Sequence, residues 1–355
     1  MQTILWLLIL LAFLKVVSNI KQRIRIFLNG DFNRLHKLGL PQIEDFSQLA
    51  NFLKISETEL NWLIDKSSAN PQTGISRHYV LKEISKKNGK KRLLHIPKAK
   101  LKEVQWIILD KILNLLSYHP AAHAFCFRKS IVTNAENHLG KAIVIRADLK
   151  DFFHTIRTHR VRAIFRRLGY SYKVAYSLAL LCTSRLPNSQ KRALPQGAPT
   201  SPAISNLIAF SLDRRLTGLA LKLGFTYTRY ADDLIFSGNR KIVKALLKNL
   251  KKIVSSERFI LNKEKLLIAR AERRQKVTGI TVNQKLSIPR NERKKMRAIL
   301  HNSLKTGLEK QNLIQHPNFK EHLRGKLSFF KMVNPDQARP LIESFNKTVK
   351  KELAS

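Results

Sequence analysis

The stretch TRYADDLIFSG, residues 228–238, most constrains what this chain can fold into. It places two adjacent carboxylates, Asp232 and Asp233, inside an apolar run typical of β-strands. Taken alone, the pair is equally typical of a turn, and the segment then predicts a hairpin with Ala-Asp-Asp at its tip. The chain has only 24 Asp and Glu against 66 Lys and Arg, so two acids placed together in an apolar segment indicate a functional site.

A second apolar run lies within KAIVIRADLKDFF, residues 141–153, and Asp148 stands at the end of this run. If the two strands are neighbours, the three carboxylates converge and repel one another unless a divalent cation neutralises them. Oxygen ligands of this kind suit Mg²⁺. Two such ions can activate an attacking hydroxyl and stabilise the leaving oxygen in a phosphoryl transfer. Taken alone, Asp148 is equally consistent with a helix N-cap.

The charge of the chain points to its partner. The formal net charge is +42 with a pI near 10.7, and such a field attracts polyanions, so nucleic acid is the expected partner. The two cysteines, Cys126 and Cys182, form no CxxC motif, which indicates buried or idle thiols in a reducing compartment and gives no sign of a Cys/His metal cage. With 355 residues and 44% hydrophobic composition, the chain can build one large domain or two to three subdomains.

The first residues carry a separate signal. ILWLLILLAFL, residues 4–14, is uninterrupted apolar sequence, and residues 4–20, with one lysine, are just long enough to span a bilayer. The basic residues around 15–25 would then keep the bulk of the protein cytoplasmic. A signal peptide fits poorly because a basic leading region is lacking. The predictions left open are a membrane anchor in residues 1–20, a buried helix and a misassigned start codon.

The remaining pattern predicts alternating helices and strands, hence an α+β core with helical additions. The predicted helices are those in 31–66, where Ser56 and Glu59 form a capping signal, and those at 99–117, up to about 185, after 202, at 241–257 and from 290 onward. A loop is predicted at 70–78, a basic hairpin at 79–97 and short strands between 258 and 289.

The ordered motifs ADLKDFF, LPQGAPTSP (194–202) and YADD resemble the motif series of reverse transcriptases. NAENH (134–138), VTG (277–279) and HLRGKLSFFKMVNP (322–335) resemble the signatures and thumb segment of bacterial retron reverse transcriptases. The resemblance implies a right-hand polymerase with fingers, a palm of antiparallel sheet plus helices, and a helical thumb. The expected boundaries are an apolar segment 1–20, an N-terminal helical region 21–70, fingers 71–145, palm 146–285 and an RNA-binding thumb 286–355.

The same resemblance implies metal-binding and catalytic roles for Asp148, Asp232 and Asp233, with the Leu149 carbonyl as a backbone ligand. The implied cofactor is two Mg²⁺ ions, for which Mn²⁺ can substitute. Lys265 matches a lysine that protonates the pyrophosphate leaving group, although a surface lysine is a serious alternative there.

Four residues are implied to bind the incoming nucleotide. Arg92 would grip the triphosphate, since its guanidinium fork suits phosphate oxygens. Phe153 would abut the sugar and exclude a 2′-OH, unless it is a core residue. Gln196 would contact the nucleotide, and Gly197 would let the backbone approach closely, although the segment is also typical of a rigid turn.

The retron signatures imply RNA or primer binding by Asn134, His138, Val277, Thr278 and Gly279. From the residues alone, the Asn and His are more typical of a closed loop. VTG is equally typical of a strand with a glycine bulge.

The implied function is an RNA-directed DNA polymerase that uses dNTPs to copy part of a structured noncoding RNA. Priming from a 2′-OH of an internal guanosine would leave a branched RNA–DNA product (msDNA), and the implied role is antiphage defence with a separate effector protein. The basic C-terminal region fits recognition of an RNA stem-loop through shape and phosphates. The alternatives are another bacterial reverse transcriptase such as the group II intron type, a non-catalytic RNA-binding scaffold and a membrane-tethered basic adaptor.

Overall fold

The structure is a computed structural model that describes residues 15–18, 22, 26, 28–64, 77–85, 89, 91–187, 189, 191–239 and 242–354. The chain forms two compact units, each built from three chain segments. Unit 1 comprises 1–119, 151–211 and 258–260, and unit 2 comprises 120–150, 212–257 and 261–355. The predicted domains are each one continuous stretch of the chain, whereas each of these two units combines segments that are separated in the sequence.

The helices and strands follow one another without internal repetition. The helices are α1 (Phe32–Lys37), α2 (Phe46–Phe52), α3 (Glu57–Ile64), α4 (Ala99–Lys111), α5 (Ile131–Glu136), α6 (Phe152–Thr155), α7 (Thr158–Leu168), α8 (Tyr172–Leu181), α9 (Thr200–Lys222), α10 (Val243–Ser256), α11 (Arg290–Thr306), α12 (Phe319–Val333) and α13 (Pro335–Ala354). The strands are β1 (Tyr79–Ser85), β2 (Lys91–Pro97), β3 (Ile143–Leu149), β4 (Ser184–Arg185), β5 (Arg192–Ala193), β6 (Phe225–Tyr230), β7 (Asp233–Gly238), β8 (Leu261–Arg270), β9 (Lys276–Val277) and β10 (Ile280–Thr281).

Unit 1 is mainly helical and begins with helices whose ends are fixed by side chains. Ser56 and Glu59 form the predicted capping box at the start of α3: Glu59 N–H donates to Ser56 Oγ at 3.1 Å, and Ser56 N–H donates to the Glu59 carboxylate at 2.9 Å. The predicted hairpin is β1–β2, paired from Tyr79 with Pro97 to Ser85 with Lys91. The two strands β4 and β5 form a second, shorter hairpin in the same unit.

Unit 2 is organised around an antiparallel sheet in the order β6-β7-β3-β8. The central strand β3 is buried along nearly its whole length, which explains its continuous apolar sequence. Because β3 and β7 run antiparallel, the end of β3 lies beside the beginning of β7. This register pairs Asp148 with Asp233.

The last helix, α13, packs against both α11 and α12 within unit 2. Each helix buries one apolar stripe, as amphipathic spacing predicts, in a core that includes Met296, Leu300, Leu323, Leu327, Phe330 and Phe345. The basic residues of α11 point away from this core: Arg290, Lys294, Lys295 and Arg297 are exposed. Burial of the apolar stripes thus leaves a positively charged surface.

The predicted α+β fold is confirmed, with local differences. The helix expected over 99–117 ends at Lys111 and continues as a short 3₁₀ turn, Leu113–Leu115. The helical prediction up to about 185 is wrong at its end, since Ser184 and Arg185 pair with β5. The strand β8 spans ten residues rather than being short. Most of the predicted loop 70–78, and Lys86, Lys87 and Lys90 of the hairpin, lie outside the described residues.

The predicted membrane anchor, residues 1–20, lies almost entirely outside the described residues. Among the helices that the structure does describe, none combines the length and the apolar character needed to cross a bilayer.

Candidate active site

The predicted carboxylates converge at one edge of the sheet in unit 2. Asp148 lies at the end of β3 and is directly paired with Asp233, the first residue of β7. Asp232 lies in the turn between β6 and β7, and its carbonyl accepts a hydrogen bond from Leu149 N–H at 2.9 Å. The antiparallel pairing therefore brings together three carboxylates that come from two distant segments of the sequence.

The turn that carries Asp232 has an unusual backbone. Its first residue, Ala231, has a φ of 56°, a left-handed conformation for which glycine is normally preferred. Arg229 stabilises this conformation because its Nη1 donates to the Ala231 carbonyl at 3.0 Å.

Arg229 is itself held by a buried carboxylate. Its Nε and Nη2 donate to the two oxygens of Asp213 at 2.8 and 2.7 Å, and Tyr227 Oη donates to the same carboxylate at 2.8 Å. The Arg229 and Asp213 side chains are fully buried. The pKa of Arg229 is raised although burial alone lowers it, since the Asp213 charge outweighs the loss of solvation. A buried ion pair thus supports the turn that carries Asp232.

The neighbouring strand β8 supplies two further partners of Asp148. Asn262 Nδ2 donates to one carboxylate oxygen at 3.1 Å, and Lys265 Nζ binds the other at 2.7 Å. Residues three apart in a regular strand point to opposite faces. Here the pairing of β8 with β3 is interrupted between Arg146 and Asp148, and this irregularity lets both side chains reach the same carboxylate.

The electrostatics of the site disfavour three bare carboxylates. The pKa of Asp232 is raised by burial and then by the Asp148 and Asp233 charges. The pKa of Asp233 is also raised, mainly by burial, although Arg146, whose Nη2 lies 3.5 Å from its carboxylate, opposes this shift. The pKa of Lys265 is raised by its hydrogen bond to Asp148, so Lys265 is protonated at neutral pH.

These shifts fit a site for a divalent cation, since added positive charge would relieve the repulsion that burial strengthens. Within the described residues, no three His, Cys, Asp or Glu side chains are grouped closely enough to hold a metal as they stand. Lys265 and Arg146 instead supply positive charge to Asp148 and Asp233. The carboxylates are therefore gathered at one edge and partly neutralised by basic side chains.

The predicted nucleotide-binding residues lie in unit 1. Arg92 is exposed on β2, and Phe153 is half-buried on α6, where its ring lies 5.5 Å from that of Phe152. Gln196 is fixed through its backbone, because its carbonyl accepts a hydrogen bond from His95 N–H at 2.8 Å. Gly197 has a φ of 121°, and a Cβ there would lie 3.0 Å from the His95 carbonyl, so this position requires glycine.

Asn134 and His138 are completely buried, so neither presents an atom to RNA in this structure. His138 bridges two strands: Nδ1 lies 2.7 Å from Ser237 Oγ, and Nε2 lies 2.7 Å from Thr228 Oγ1. Burial lowers the pKa of His138 to about 3, so its ring is neutral. For His138 the geometry indicates a structural role in place of the expected RNA contact. The Asn134 amide has no hydrogen-bond partner within the described part of the chain.

The VTG segment forms a tight hairpin rather than a bulge. Val277 is buried and pairs with Ile280. The two turn residues, Thr278 and Gly279, have φ of 46° and 92°, as in a turn with two left-handed residues. Thr278 Oγ1 donates to the carbonyl of Ile131, the first residue of α5, at 2.9 Å. The VTG turn therefore contacts α5, the helix in which the NAENH segment begins, although the two are far apart in the sequence.

Sequence reasoning missed Arg146, Asp213, Arg229 and Asn262 as parts of the site. Asn262 and Arg146 carried a usable signal, since each lies within three residues of a predicted catalytic residue. Asp213 carried none, because an Asp within a helical stretch is ordinarily a surface residue. Only the packing of α9 against the sheet pairs it with Arg229.

A comparison with known protein families agrees with this geometry. Residues 84–282 match the family described as "Reverse transcriptase (RNA-dependent DNA polymerase)", which is more than half of the chain. The chain therefore belongs to the reverse transcriptase family.

Similar proteins narrow the class further. The Retron Mx65 reverse transcriptase of Myxococcus xanthus is 39% identical over 324 residues, which cover 88% of this chain and 73% of the relative. The Retron Mx162 reverse transcriptase of the same organism is 36% identical, with 86% and 67% covered. The Retron Ec86 reverse transcriptase of Escherichia coli is 34% identical, with 90% and 93% covered. Within its family, this chain is a retron-type reverse transcriptase that copies RNA into DNA, and the family uses divalent metal ions.

Proposed function

We propose that this enzyme copies part of a structured noncoding RNA into DNA, starting from a 2′-OH of an internal guanosine in that RNA and leaving a branched RNA–DNA product. The observation that carries this proposal is the edge of the sheet in unit 2, where Asp148 and Asp233 are paired and Asp232 is hydrogen-bonded to Leu149 through its backbone. The hydrogen bond from Thr278 of VTG to α5, the helix in which NAENH begins, supports the retron assignment.

In this proposal, Asp148, Asp232, Asp233 and the Leu149 carbonyl hold two Mg²⁺ ions, for which Mn²⁺ can substitute. Ions held by these residues would supply Lewis-acid stabilisation of the attacking and leaving oxygens. Lys265 holds a proton on Nζ, which its raised pKa keeps in place at neutral pH, and donates it to the pyrophosphate leaving group.

The remaining roles concern the incoming dNTP. Arg92 contacts its triphosphate, and Phe153 excludes a 2′-OH on its sugar. Gln196 contacts the nucleotide, and Gly197 lets the backbone of this segment approach closely. The exposed basic side chains of α11 fit contacts to RNA phosphates. A separate effector protein completes the proposed role in antiphage defence.

The experiment that tests this proposal is expression of the protein with its native upstream DNA, followed by isolation of the nucleic acid bound to it. We expect a short DNA linked to RNA for the wild type and none for Asp232→Asn/Asp233→Asn. The matched control is Asp336→Asn, an acid of the same unit whose side chain is 91% exposed, and it should behave as the wild type. RNA bound by every variant without DNA from any would instead support a non-catalytic scaffold.

The cytoplasmic location, with contact to the membrane through residues 4–20, stays a prediction. Membrane fractionation of the full chain and of a variant that starts near Asn29 addresses it. Recovery of both in the soluble fraction would contradict the tether.

A further inference from the structure

Unit 1 contains a basic cleft that none of the roles above uses. It has a volume of about 600 Å³ and lies between the start of α7, one side of α8 and the β4–β5 hairpin. Its lining includes five basic side chains and one aromatic ring: Arg157, His159, Arg162, Lys191, Arg192 and Tyr176. None of the described residues that line it is acidic. A concave surface with this lining concentrates positive potential and attracts anions.

The positive charges of the cleft are not neutralised by the protein. Among the described residues, no carboxylate forms an ion pair with Arg157, Arg162, Lys191 or Arg192. The pKa of His159 is lowered by burial and then by surrounding arginines, so the ring adds no charge of its own at neutral pH. The field therefore comes from side chains that keep their charge at any physiological pH.

Two of the arginines also carry unused donors. Arg157 Nη1 and Arg192 Nε are buried and have no acceptor within the described part of the chain. Arg192 is held in place by its other nitrogen, Nη2, which donates to the carbonyls of Leu180 and Thr183 at 3.0 and 2.6 Å. A buried guanidinium N–H without an acceptor is costly, and a phosphate oxygen is an acceptor that suits it.

Aromatic rings lie beside these charges. Tyr172 and Tyr176 are stacked on the same side of α8, with ring centroids 6.1 Å apart and an interplanar angle of 18°. The guanidinium of Arg162 lies 4.8 Å from the Tyr172 ring and 5.8 Å from that of Tyr176, and its Nη1 donates to Tyr172 Oη at 2.7 Å. Arg162 is thereby fixed in one orientation next to the ring of Tyr176.

We propose that this cleft is a binding site for single-stranded RNA, in which Arg157, Arg162 and Lys191 contact phosphate oxygens and Tyr176 stacks on one base. Adjacent cations and an aromatic platform are the combination that holds unpaired strands without reading their sequence. A cleft of this volume accommodates about one nucleotide, in the range of pockets for small ligands. The proposal rests on the RNA-copying activity and adds to it a contact that retains the RNA.

The first measurement is the salt dependence of the affinity of the full-length protein for a labelled single-stranded RNA. Arg157→Gln/Lys191→Gln should reduce the slope of log affinity against log salt by about 1.4, since each lost phosphate contact on a single strand removes about 0.7. The matched control is Lys102→Gln/Lys111→Gln, which removes two exposed charges from α4 in the same unit. An unchanged slope for the cleft variant, or an equal decrease for the control, would overturn the proposal.

The second measurement concerns the aromatic platform. Tyr176→Leu should weaken RNA binding by at least about fivefold, whereas Tyr176→Phe, which keeps the ring, should bind as the wild type does. Thermal unfolding of each variant by circular dichroism separates a loss of contact from a loss of fold. Equal binding by Tyr176→Leu and Tyr176→Phe would refute the stacking.

A free nucleotide offers the same phosphate chemistry, so binding of labelled dATP without RNA is measured in parallel. A cleft variant that loses dATP binding but keeps its RNA slope would show that the site serves nucleotides, which overturns the proposal. Primer extension by the wild type on a separate template tests the polymerase activity alone. If the wild type is inactive but the salt slopes of RNA affinity change as expected, the proposed function is contradicted and the cleft remains supported as an RNA-binding site.

Discussion

The buried ion pair between Asp213 and Arg229 should control both the stability of unit 2 and its activity. Within the described residues, the Asp213 carboxylate accepts hydrogen bonds from Nε and Nη2 of Arg229 and from Tyr227 Oη, and Arg229 Nη1 connects this group to the Ala231 carbonyl. Asp213→Asn keeps the shape of the side chain and removes its charge, so Arg229 is left as an uncompensated buried cation.

The expected cost follows from the burial. Removing one partner of a fully buried pair costs about 3–5 kcal/mol, because the remaining charge has neither solvent nor a counter-ion. Typical proteins are stable by roughly 5–15 kcal/mol, so Asp213→Asn should remove a large part of the stability of this unit. An exposed pair would give less than about 1 kcal/mol. The matched control is therefore Glu321→Gln, since the ion pair of Glu321 with Arg324 is exposed.

Stability should be measured by amide hydrogen exchange in peptides covering β6 and β7. Fluorescence is unsuitable, because the sequence segments of unit 2 contain none of the three tryptophans, which stand at positions 6, 62 and 106. We expect exchange in these strands to be accelerated in Asp213→Asn and unchanged in Glu321→Gln. Protection of Asp213→Asn within about 1 kcal/mol of the wild type would refute the reasoning, since that is the level expected for an exposed pair.

A triple replacement separates stability from activity. Asp213→Leu/Tyr227→Phe/Arg229→Met removes all the polar side chains of the group together, and apolar replacement of a buried pair is often neutral or stabilising. Protection in β6 and β7 should then recover. Primer extension should be impaired in the triple variant as in Asp213→Asn, because the left-handed backbone of Ala231 has lost the Arg229 donor that supports it. A triple variant with full activity would show that Arg229 does not position the catalytic turn.

Three further outcomes are expected. Mg²⁺ at about 100 times its dissociation constant should stabilise the wild type by about 2.7 kcal/mol in a thermal shift assay, whereas Asp232→Asn/Asp233→Asn should not respond and should be inactive. Stability should fall as pH drops from about 6.5 towards 3, and His138 should contribute up to about 1.4 kcal/mol per pH unit to this fall, because only the unfolded chain protonates it over that range. His138→Gln should reduce the slope in unfolding measurements without abolishing it, since burial also lowers the pKa of His95 and of His123 to about 4. An unchanged slope would contradict this prediction. Gly197→Ala should lower kcat/KM for dNTPs by about tenfold through strain against His95, whereas Gly39→Ala, a left-handed position with open space, should not affect it in steady-state kinetics.

Much of the fold and the core of the site could be predicted from the sequence because their signals are local. The capping pair Ser56 and Glu59 act over three residues, and the hairpin that carries Ala-Asp-Asp needs only its own two strands. The apolar runs that end near Asp148 and begin at Asp233 reflect strands that are buried over nearly their whole length. Order and type of these elements therefore follow from spacing and polarity alone.

The rest depends on contacts between distant segments. Both Asn262 and Lys265 reach Asp148 only because the pairing of β8 with β3 is irregular, and strand alternation predicts the opposite. His138 was expected at an RNA surface and is buried between two strands.

The sequence by itself determined which carboxylates form the predicted site and which strands carry them, since both are encoded within a few neighbouring residues. It also determined the basic character of the chain, which depends on composition alone. Only the tertiary structure decided which side chains support the site. The pairing of Asp213 with Arg229 joins a helix to a strand, and the free energy that holds it comes from removing both charges from water together. No local pattern encodes that burial.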